Sequence, residues 1–321
     1  MTKFVLDTAV FEDLSVAEET AVFAAGIEER MNRAPARWET PVEVERALPP
    51  GGGVVSAEPA ELEPEVRTIA GPGGALPIRI IRPERAPVGV YLHFHGGGFC
   101  LGAARNHDAM LAETAARAGV ATVSIDYRLA PEHPYPAAPA DAEAALLWLV
   151  ENAAAEFGSA AVVVGGESAG ALLSVVAALR LRDRHGFTGL AGLNLSQGGY
   201  DLRMTPSLRS WGERRLILNT PTAACHFDRY LQGADPGNPD VSPLFADLRD
   251  LPPALFTVGT WDPLLDDNGF MSFRWLAAGN EAHLDIHPGG IHGFTLFDTA
   301  LARAARTRIN SFIARCVADR R

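Results

Sequence analysis

Short apolar runs typical of β-strands alternate with helical patterns from about residue 65 to the end of the chain. Eight such runs lie at residues 66–70, 77–83, 88–95, 120–126, 160–166, 190–196, 254–259 and 282–287. Most are separated by helical patterns, at 106–118, 141–152, 169–184, 267–278 and 299–317. Because strands that are apolar throughout need cover on both faces, we predict a mostly parallel eight-stranded sheet flanked by helices. The glycine-rich turn at 71–74 predicts that the first two strands form an antiparallel hairpin.

Two segments stand outside this alternation. Residues 1–47 have an amphipathic helical pattern in which Val22, Phe23 and Ile27 share one face, and a Pro-Pro-Gly-Gly-Gly linker follows at 49–53. Residues 200–250 contain several prolines and no strand pattern, and they lie between two predicted strands. We therefore expect a helical arm at 1–50 and a main domain at 51–321 with an insertion at 200–250. The arm and the insertion are expected to form a helical cap together.

Charge and composition exclude several classes of protein. The 321 residues carry 39 acidic and 28 basic side chains, a net charge of −11, which argues against a nucleic-acid partner or a polybasic membrane-binding surface. This balance suits a neutral or apolar substrate better than a polyanion. The three cysteines are widely spaced, which argues against a disulfide framework. Because no apolar run reaches the length of a membrane span and acids interrupt the N-terminal residues, we expect a cytoplasmic protein without membrane insertion.

The segment Gly-Glu-Ser-Ala-Gly at 166–170 lies directly between an apolar strand and a helical pattern. This context is typical of a nucleophile elbow, in which a sharp strand-to-helix turn exposes the serine hydroxyl. Side chains at the two flanking glycines would collide with the neighbouring strand and helix. We predict that Ser168 is a nucleophile. For this motif alone, a glycine-rich turn with an incidental serine is the alternative.

A second glycine-rich segment, His-Gly-Gly-Gly-Phe at 95–99, follows the third predicted strand. Three consecutive glycines let backbone N–H groups point into one cavity, which is what a developing oxyanion requires. We predict that the N–H groups of Gly97, Gly98 and Ala169 form an oxyanion hole and that His95 braces the loop. A phosphate-binding loop is the alternative, but the Gly-Lys-Ser/Thr sequence that it needs does not follow.

A serine nucleophile needs a base, and the base needs an acid that orients it. His292 follows the last predicted strand, and Asp262 follows the strand before it. The order Ser168, Asp262, His292 is that of the α/β-hydrolase fold. Asp266 and Asp267 are the alternative acids, although they lie at the start of the next helix, where acids stabilise the helix dipole.

Other side chains near these motifs are candidates for binding. His93 and His95 are two residues apart on a strand and share one face, a spacing found in metal sites. No third ligand is evident, so we predict a structural role for both and no metal. We expect Phe99, Trp211 and Phe294, which lie beside the catalytic motifs or in the insertion, to line an apolar substrate pocket.

Five motifs together resemble those of the hormone-sensitive-lipase-like carboxylesterases, also called bacterial family IV esterases. The resemblance extends over about residues 65–320. In chain order the motifs are HGGGF at 95–99, DYRLAPEHPYPAAPAD at 126–141, GESAG at 166–170, GTWDPLLDD at 259–267 and GIHGF at 290–294. The elbow departs from the usual GDSAGG pattern of the family, since Glu167 stands in place of the aspartate and Ala171 in place of the last glycine.

The resemblance implies a serine hydrolase of the α/β-hydrolase fold that cleaves short- to medium-chain carboxylic esters through an acyl-enzyme. It implies Ser168, His292 and Asp262 as the triad, with Gly97, Gly98 and Ala169 as oxyanion donors. It also implies a helical cap, no cofactor, a small-molecule ester as the partner and, as in many members, a homodimer. Two alternatives remain open: an amidase, lactonase or deacetylase on the same machinery, and a non-catalytic small-molecule receptor on the same fold.

Overall fold

The predicted strands form one eight-stranded sheet in the computed structural model, which describes residues 7–12, 15–47 and 63–320. In the order β1-β2-β4-β3-β5-β6-β7-β8, neighbouring strands are hydrogen-bonded. Their bounds are β1 (Glu65–Gly71), β2 (Gly74–Ile81), β3 (Val90–Phe94), β4 (Ala121–Ile125), β5 (Val162–Glu167), β6 (Gly192–Ser196), β7 (Ala254–Trp261) and β8 (Ala282–Ile291).

The pairing of the strands determines where a site can form. β1 and β2 are the predicted antiparallel hairpin, and β2 also runs antiparallel to β4. Every neighbouring pair from β4 across to β8 is parallel. The carboxyl ends of these six strands therefore meet at one edge of the sheet, where loops build sites in open α/β folds. The predicted fold class is confirmed.

Helices cover both faces of the sheet. Within the described residues they are α1 (Glu18–Arg33), α2 (Val42–Ala47), α3 (Asp108–Ala118), α4 (Ala137–Phe157), α5 (Ala169–His185), α6 (Pro206–Ser210), α7 (Thr220–Leu231), α8 (Leu265–Ala277) and α9 (Ala300–Ala318). In that part of the chain no helix combines the length and the apolar character needed to cross a membrane.

Alternating residues of the central strands pack on opposite faces. In β3, Leu92 and Phe94 join the cluster that contains the buried residues of α4 and α5, whereas Tyr91 joins the cluster of α3 and α9. All residues of β3, β4, β5 and β6 are buried. This double burial explains why these strands carry apolar, small or short polar side chains on both faces and almost no charged ones.

Two elements extend beyond their predicted bounds. α4 starts four residues earlier and ends five later than the pattern at 141–152 indicates, because alanines continue the helix until Gly158 ends it in a left-handed conformation. β8 continues past Pro288, where a break was expected. A proline is tolerated there because β8 is an edge strand paired only with β7, and the regular pairing is interrupted at this point, between the pairs Gly259–His287 and Trp261–Ile291.

The N-terminal arm and the insertion contact each other. The insertion contains α6, α7 and a 3-10 turn (Pro243–Phe245), and no named strand lies between β6 and β7. Arg215 donates from Nη1 to the carbonyl oxygens of Met31 at 2.7 Å and Ala34 at 2.8 Å, just after α1. Arg229 in α7 donates to the carboxylate of Glu45 in α2 at 2.7 Å. The linker predicted at 49–53 lies outside the described residues.

Candidate active site

The turn between β5 and α5 holds Ser168 in a conformation that few residues with a side chain adopt. Its φ is 56° and its ψ is −116°. A Cβ at Gly170 would lie 1.9 Å from the carbonyl oxygen of Phe94, and a Cβ at Gly166 would lie 2.1 Å from the same atom. Both positions therefore require glycine, as the motif predicted, because β3 passes too close for any other residue.

This close approach yields a prediction about stability. Gly170→Ala is expected to lower the free energy of unfolding by at least about 2 kcal/mol, because the added Cβ meets a backbone atom that cannot move freely. Denaturant unfolding measures the loss. Gly269→Ala, within α8, is the matched control, since nothing lies within 4 Å of its added Cβ. That control should be neutral or stabilising by up to about 1 kcal/mol, as alanine favours helices. Equal effects of the two substitutions would contradict the steric account.

Ser168, His292 and Asp262 form a hydrogen-bonded chain at the carboxyl ends of β5, β8 and β7. The Oγ of Ser168 lies 3.0 Å from Nε2 of His292. Nδ1 of His292 lies 3.0 Å from Oδ2 and 3.1 Å from Oδ1 of Asp262. Asp262 is buried, and its Oδ1 also accepts the backbone N–H of Leu264 at 2.9 Å, which fixes the carboxylate. These are the distances that a nucleophile, a base and an orienting acid require.

The alternative acids have other partners. Asp267 accepts the backbone N–H groups of Tyr200 at 2.6 Å and Asp201 at 3.0 Å, and also the hydroxyl of Thr205. Asp266 accepts the backbone N–H of Ser207 at 2.8 Å. Both carboxylates therefore fasten the start of the insertion to α8. Both also lie in the first turn of α8, as expected, and Asp262 is the acid that contacts His292.

Burial raises the pKa of Asp267 to about 7, against the opposing effect of its hydrogen-bond donors. The folded chain therefore keeps this proton up to about pH 7, whereas the unfolded chain releases it near its ordinary value of about 4. We expect the free energy of unfolding of the wild type, relative to that of Asp267→Asn, to fall by at least about 1 kcal/mol from pH 5 to pH 8. Urea unfolding at both values measures this difference, and a constant difference would contradict the raised pKa.

The glycine loop after β3 faces the elbow. A Cβ at Gly96 would lie 3.0 Å from the carbonyl oxygen of Glu167, so the two turns are in contact. Gly97 has a φ of 121° and Gly98 one of 58°, and a Cβ on either would collide with Leu101 or His226. The backbone N–H groups of Gly97, Gly98 and Ala169 donate to no acceptor among the described residues. They are therefore available to a group bound beside Ser168.

His95 braces this loop as predicted. Its Nδ1 lies 2.8 Å from the carbonyl oxygen of Gly96, and its ring stacks on Tyr127 with centroids 4.2 Å apart. Tyr127 in turn donates its hydroxyl to the carbonyl of His95 at 2.8 Å. Burial lowers the pKa of His95 to about 4, so its ring is neutral near pH 7.

Of the two strand histidines, His93 lies in a group of possible metal ligands that the sequence pattern did not reveal, with His107 and Glu167 and without His95. Glu167 accepts from Nε2 of His93 at 2.8 Å, and its Oε2 lies 3.5 Å from Nδ1 of His107. One potential ligand atom from each of these three buried residues lies within 4.8 Å of the others, a set of types that metals use. His107 lies in the segment after β3 rather than in the strand itself, so the alternation of residues along the strand gave no reason to group it with His93. Burial acts to raise the pKa of Glu167, but the neighbouring His93 outweighs it, and the pKa of Glu167 lies below its ordinary value.

A cavity of about 410 Å³ opens beside Ser168 and His292. It is lined by the glycine loop, the elbow, the insertion and the N-terminal arm. Of the three predicted pocket residues, Phe99 lines this cavity, where its ring stacks on Tyr230 with centroids 3.9 Å apart.

The prediction was wrong for the other two pocket residues, because neither Trp211 nor Phe294 lines the cavity among the described residues. Trp211 packs beside the apolar cluster under α1, and its indole N–H donates to the carbonyl of Arg214 at 3.0 Å. Phe294 is buried in that same cluster, with its ring centroid 5.1 Å from that of His287.

Several lining residues were not predicted from the sequence. They are the polar or charged side chains Arg37, Glu45, Arg46, Arg105, Gln197 and His226 and the apolar side chains Ile217, Leu218 and Phe227. Gln197 is buried beside the elbow, and neither atom of its amide has a hydrogen-bond partner among the described residues. No spacing rule marks such positions, since they come from the arm, the turn before α3, the insertion and the end of β6, which meet only in the folded chain.

Known proteins resemble this chain in both sequence and fold. A family model described as the alpha/beta hydrolase fold matches residues 91–296, and the chain belongs to this family. Among its relatives are the carboxylic ester hydrolase LipN of Mycobacterium tuberculosis, 38% identical over 75% of this chain and 66% of LipN, and the carboxylesterase NlhH of the same species, 36% identical over 77% and 81%. An esterase of Pyrobaculum calidifontis superposes with a TM-score of 0.80 at 31% identity, covering 90% of this chain and 97% of that one. The predicted assignment to the hormone-sensitive-lipase-like carboxylesterases is confirmed.

Proposed function

We propose that this carboxylesterase hydrolyses short- to medium-chain carboxylic esters by acyl transfer to Ser168. The observation that carries the proposal is the unbroken chain from Ser168 through His292 to Asp262, with contacts of 3.0 Å at both links. His292 takes the proton of Ser168 through Nε2 as the hydroxyl attacks the ester carbonyl. Asp262 accepts the Nδ1 proton, which fixes the tautomer of the imidazole and stabilises the imidazolium that forms.

The tetrahedral intermediate places a negative charge on the former carbonyl oxygen. In this proposal the N–H groups of Gly97, Gly98 and Ala169 bind that oxygen, and they need no rearrangement because they donate to no other acceptor in the described part of the chain. His292 then gives its proton to the leaving alcohol, and the acyl group stays on Ser168. Water activated by His292 attacks the acyl-enzyme, releases the carboxylic acid and restores the hydroxyl.

The arm at 1–50 and the insertion at 200–250 form the cap over this site in the same proposal. Side chains from both segments line the cavity, among them Arg37 from the arm and Phe227 from the insertion. A cavity of about 410 Å³ lies in the range of sites that enclose small organic ligands, which favours short and medium acyl chains over long ones. A location in the cytoplasm and assembly as a homodimer stay predictions.

A panel of substrates tests this function. 4-Nitrophenyl esters with acyl chains of two to twelve carbons are compared with the 4-nitroanilide of the preferred acid and with a set of lactones. We expect the largest kcat/KM among the esters with eight carbons or fewer. Faster cleavage of the anilide or of a lactone would assign the machinery to an amidase or a lactonase instead.

A further inference from the structure

The charges that line the cavity differ in whether they already have a partner. Three of them are paired. Arg46 binds the carboxylate of Glu132 at 2.6 Å. The carboxylate of Glu45 accepts from Arg229 at 2.7 Å. The third is the buried carboxylate of Glu167, next to Ser168, which lies 2.8 Å from Nε2 of His93. Arg46 thus connects the arm to the main domain, Glu45 connects the arm to the insertion, and the third carboxylate connects the elbow to β3, while Oε1 of Glu45 has no hydrogen-bond partner among the described residues.

Arg37 and Arg105 are the remaining charged residues of the described lining, and both are arginines. Neither side chain makes a hydrogen bond or an ion pair with any residue in the ranges 7–12, 15–47 and 63–320. Arg37 belongs to a 3-10 turn of the arm (Arg37–Glu39), and burial lowers its pKa below the ordinary value. Arg105 belongs to the turn before α3 (Ala104–His107) and is more exposed.

Arg37 is half-buried, and a guanidinium that loses part of its hydration without gaining an acceptor destabilises the folded chain. Glu45 is the nearby acid that acts on the charge of Arg37, but it lies beyond ion-pair distance and already accepts from Arg229. The planar fork of an arginine fits a carboxylate, to which it can donate two parallel hydrogen bonds. Two arginines of the cavity wall that have no partner in the described part of the chain also contrast with the net charge of −11 of the whole chain.

We propose that Arg37 binds a carboxylate carried by the substrate at a distance from the ester bond, with Arg105 adding to the attraction at a second point of the wall. The natural substrates are then half-esters of dicarboxylic acids or esters of hydroxy acids. This inference rests on the proposed function and narrows it. The expectation of a neutral substrate is revised to a single negative charge, since a polyanion is still repelled by the acidic chain.

Two pairs of substrates test this inference, each matched in size. On the acyl side, the mono-4-nitrophenyl ester of adipic acid is compared with 4-nitrophenyl hexanoate. On the alcohol side, the butyrate ester of 4-hydroxybenzoate is compared with the butyrate ester of 4-methylphenol. For the wild type we expect the carboxylate-bearing member of at least one pair to have the higher kcat/KM. The pair that shows the preference identifies which end of the substrate faces Arg37.

Substitution then locates the preference. Arg37→Gln is expected to lower the ratio of kcat/KM for the charged over the neutral substrate by about tenfold or more, the size of one charge-assisted hydrogen bond. Arg37→Lys should keep part of the ratio, because it keeps the charge and loses the fork. Arg30→Gln is the matched control: it removes the same charge from an exposed position of α1 and should leave the ratio unchanged.

Three results would overturn the inference. One is a wild type without preference for the charged member of either pair. Another is an equal loss on both members in Arg37→Gln, which would mean that Arg37 only offsets the charge of Glu45. The third is the same change of ratio in Arg30→Gln. Failure of ester hydrolysis itself would count against the proposed function alone. The charge preference is then measured without turnover, by calorimetric binding of monomethyl adipate and of methyl hexanoate to Ser168→Ala, since these two ligands differ in the same carboxylate.

Discussion

Replacing Ser168 by alanine is expected to lower kcat for a 4-nitrophenyl ester of the preferred chain length by about 10⁴- to 10⁶-fold. The substitution removes the only atom that can form the acyl-enzyme in the proposed mechanism, while the oxyanion donors and the cavity remain. Residual turnover above the water rate then comes from those donors and from binding. Steady-state kinetics measures the loss, and circular dichroism checks that the fold survives.

Ser311→Ala is the matched control for this experiment. Ser311 lies on the exposed side of α9 and donates its hydroxyl only to the carbonyl of Thr307, at 2.8 Å. Its replacement should leave kcat and KM unchanged. Retention of more than a tenth of the wild-type kcat by a well-folded Ser168→Ala variant would mean that another group is the nucleophile.

Asp262→Asn is expected to lower kcat by about 10⁴-fold with little change in the fold. An asparagine at this position can present its N–H₂ group to Nδ1 of His292, and the imidazole then carries its proton on Nε2. In that tautomer Nε2 points a proton at Ser168 and cannot accept one. The loss therefore arises from the orientation and protonation of the base, so it should appear mainly in kcat.

The alternative acid Asp266 supplies the control for that substitution. Asp266→Asn removes the same charge four residues away and disturbs only the contact with the insertion, where Asp266 accepts the backbone N–H of Ser207. We expect Asp266→Asn to lower kcat by less than about tenfold, because it shifts nearby residues only slightly and leaves the acid that orients His292 in place. A larger loss in Asp266→Asn than in Asp262→Asn would contradict the proposed triad.

The features that the sequence predicted correctly are those with a local cause. The run at 162–167 forms a strand because every residue is buried between two layers of helices, and the elbow follows because Gly166 and Gly170 pass so close to Phe94. The order of the motifs along the chain predicted how the site residues come together, since residues that follow neighbouring parallel strands meet at one edge of the sheet. This is why the proximity of His292 and Ser168, 124 residues apart, could be expected.

The features that sequence reasoning missed depend on contacts between distant segments. Trp211 and Phe294 are aromatic and lie near the motifs in sequence, but Phe294 is buried in an apolar cluster under α1, Trp211 packs half-buried against that cluster, and neither side chain lines the cavity. His107 reaches Glu167 across a loop for which no spacing rule exists. Arg37 lines the cavity because the arm folds back over the sheet edge, a contact that the amphipathic pattern of the arm does not specify.

Glu167 illustrates how one departure from a family motif acquires a structural explanation. Its carboxylate contacts His93 on β3 and approaches His107 beyond the glycine loop, so it links the strand before the oxyanion loop to the residue before the nucleophile. The longer side chain keeps the negative charge that the aspartate of the motif would supply. The substitution is therefore compatible with the geometry of the elbow.

The most direct measurement is covalent labelling by a serine-directed fluorophosphonate, followed by peptide mapping with mass spectrometry. The reagent reacts with an activated hydroxyl beside an oxyanion hole, and these are the two features proposed for Ser168 and its surroundings. We expect one phosphonyl group per chain, on the peptide that contains Ser168, with loss of ester hydrolysis in the same proportion. A chain that stays unlabelled, as a non-catalytic receptor would, or that carries the label on a different serine, would contradict it.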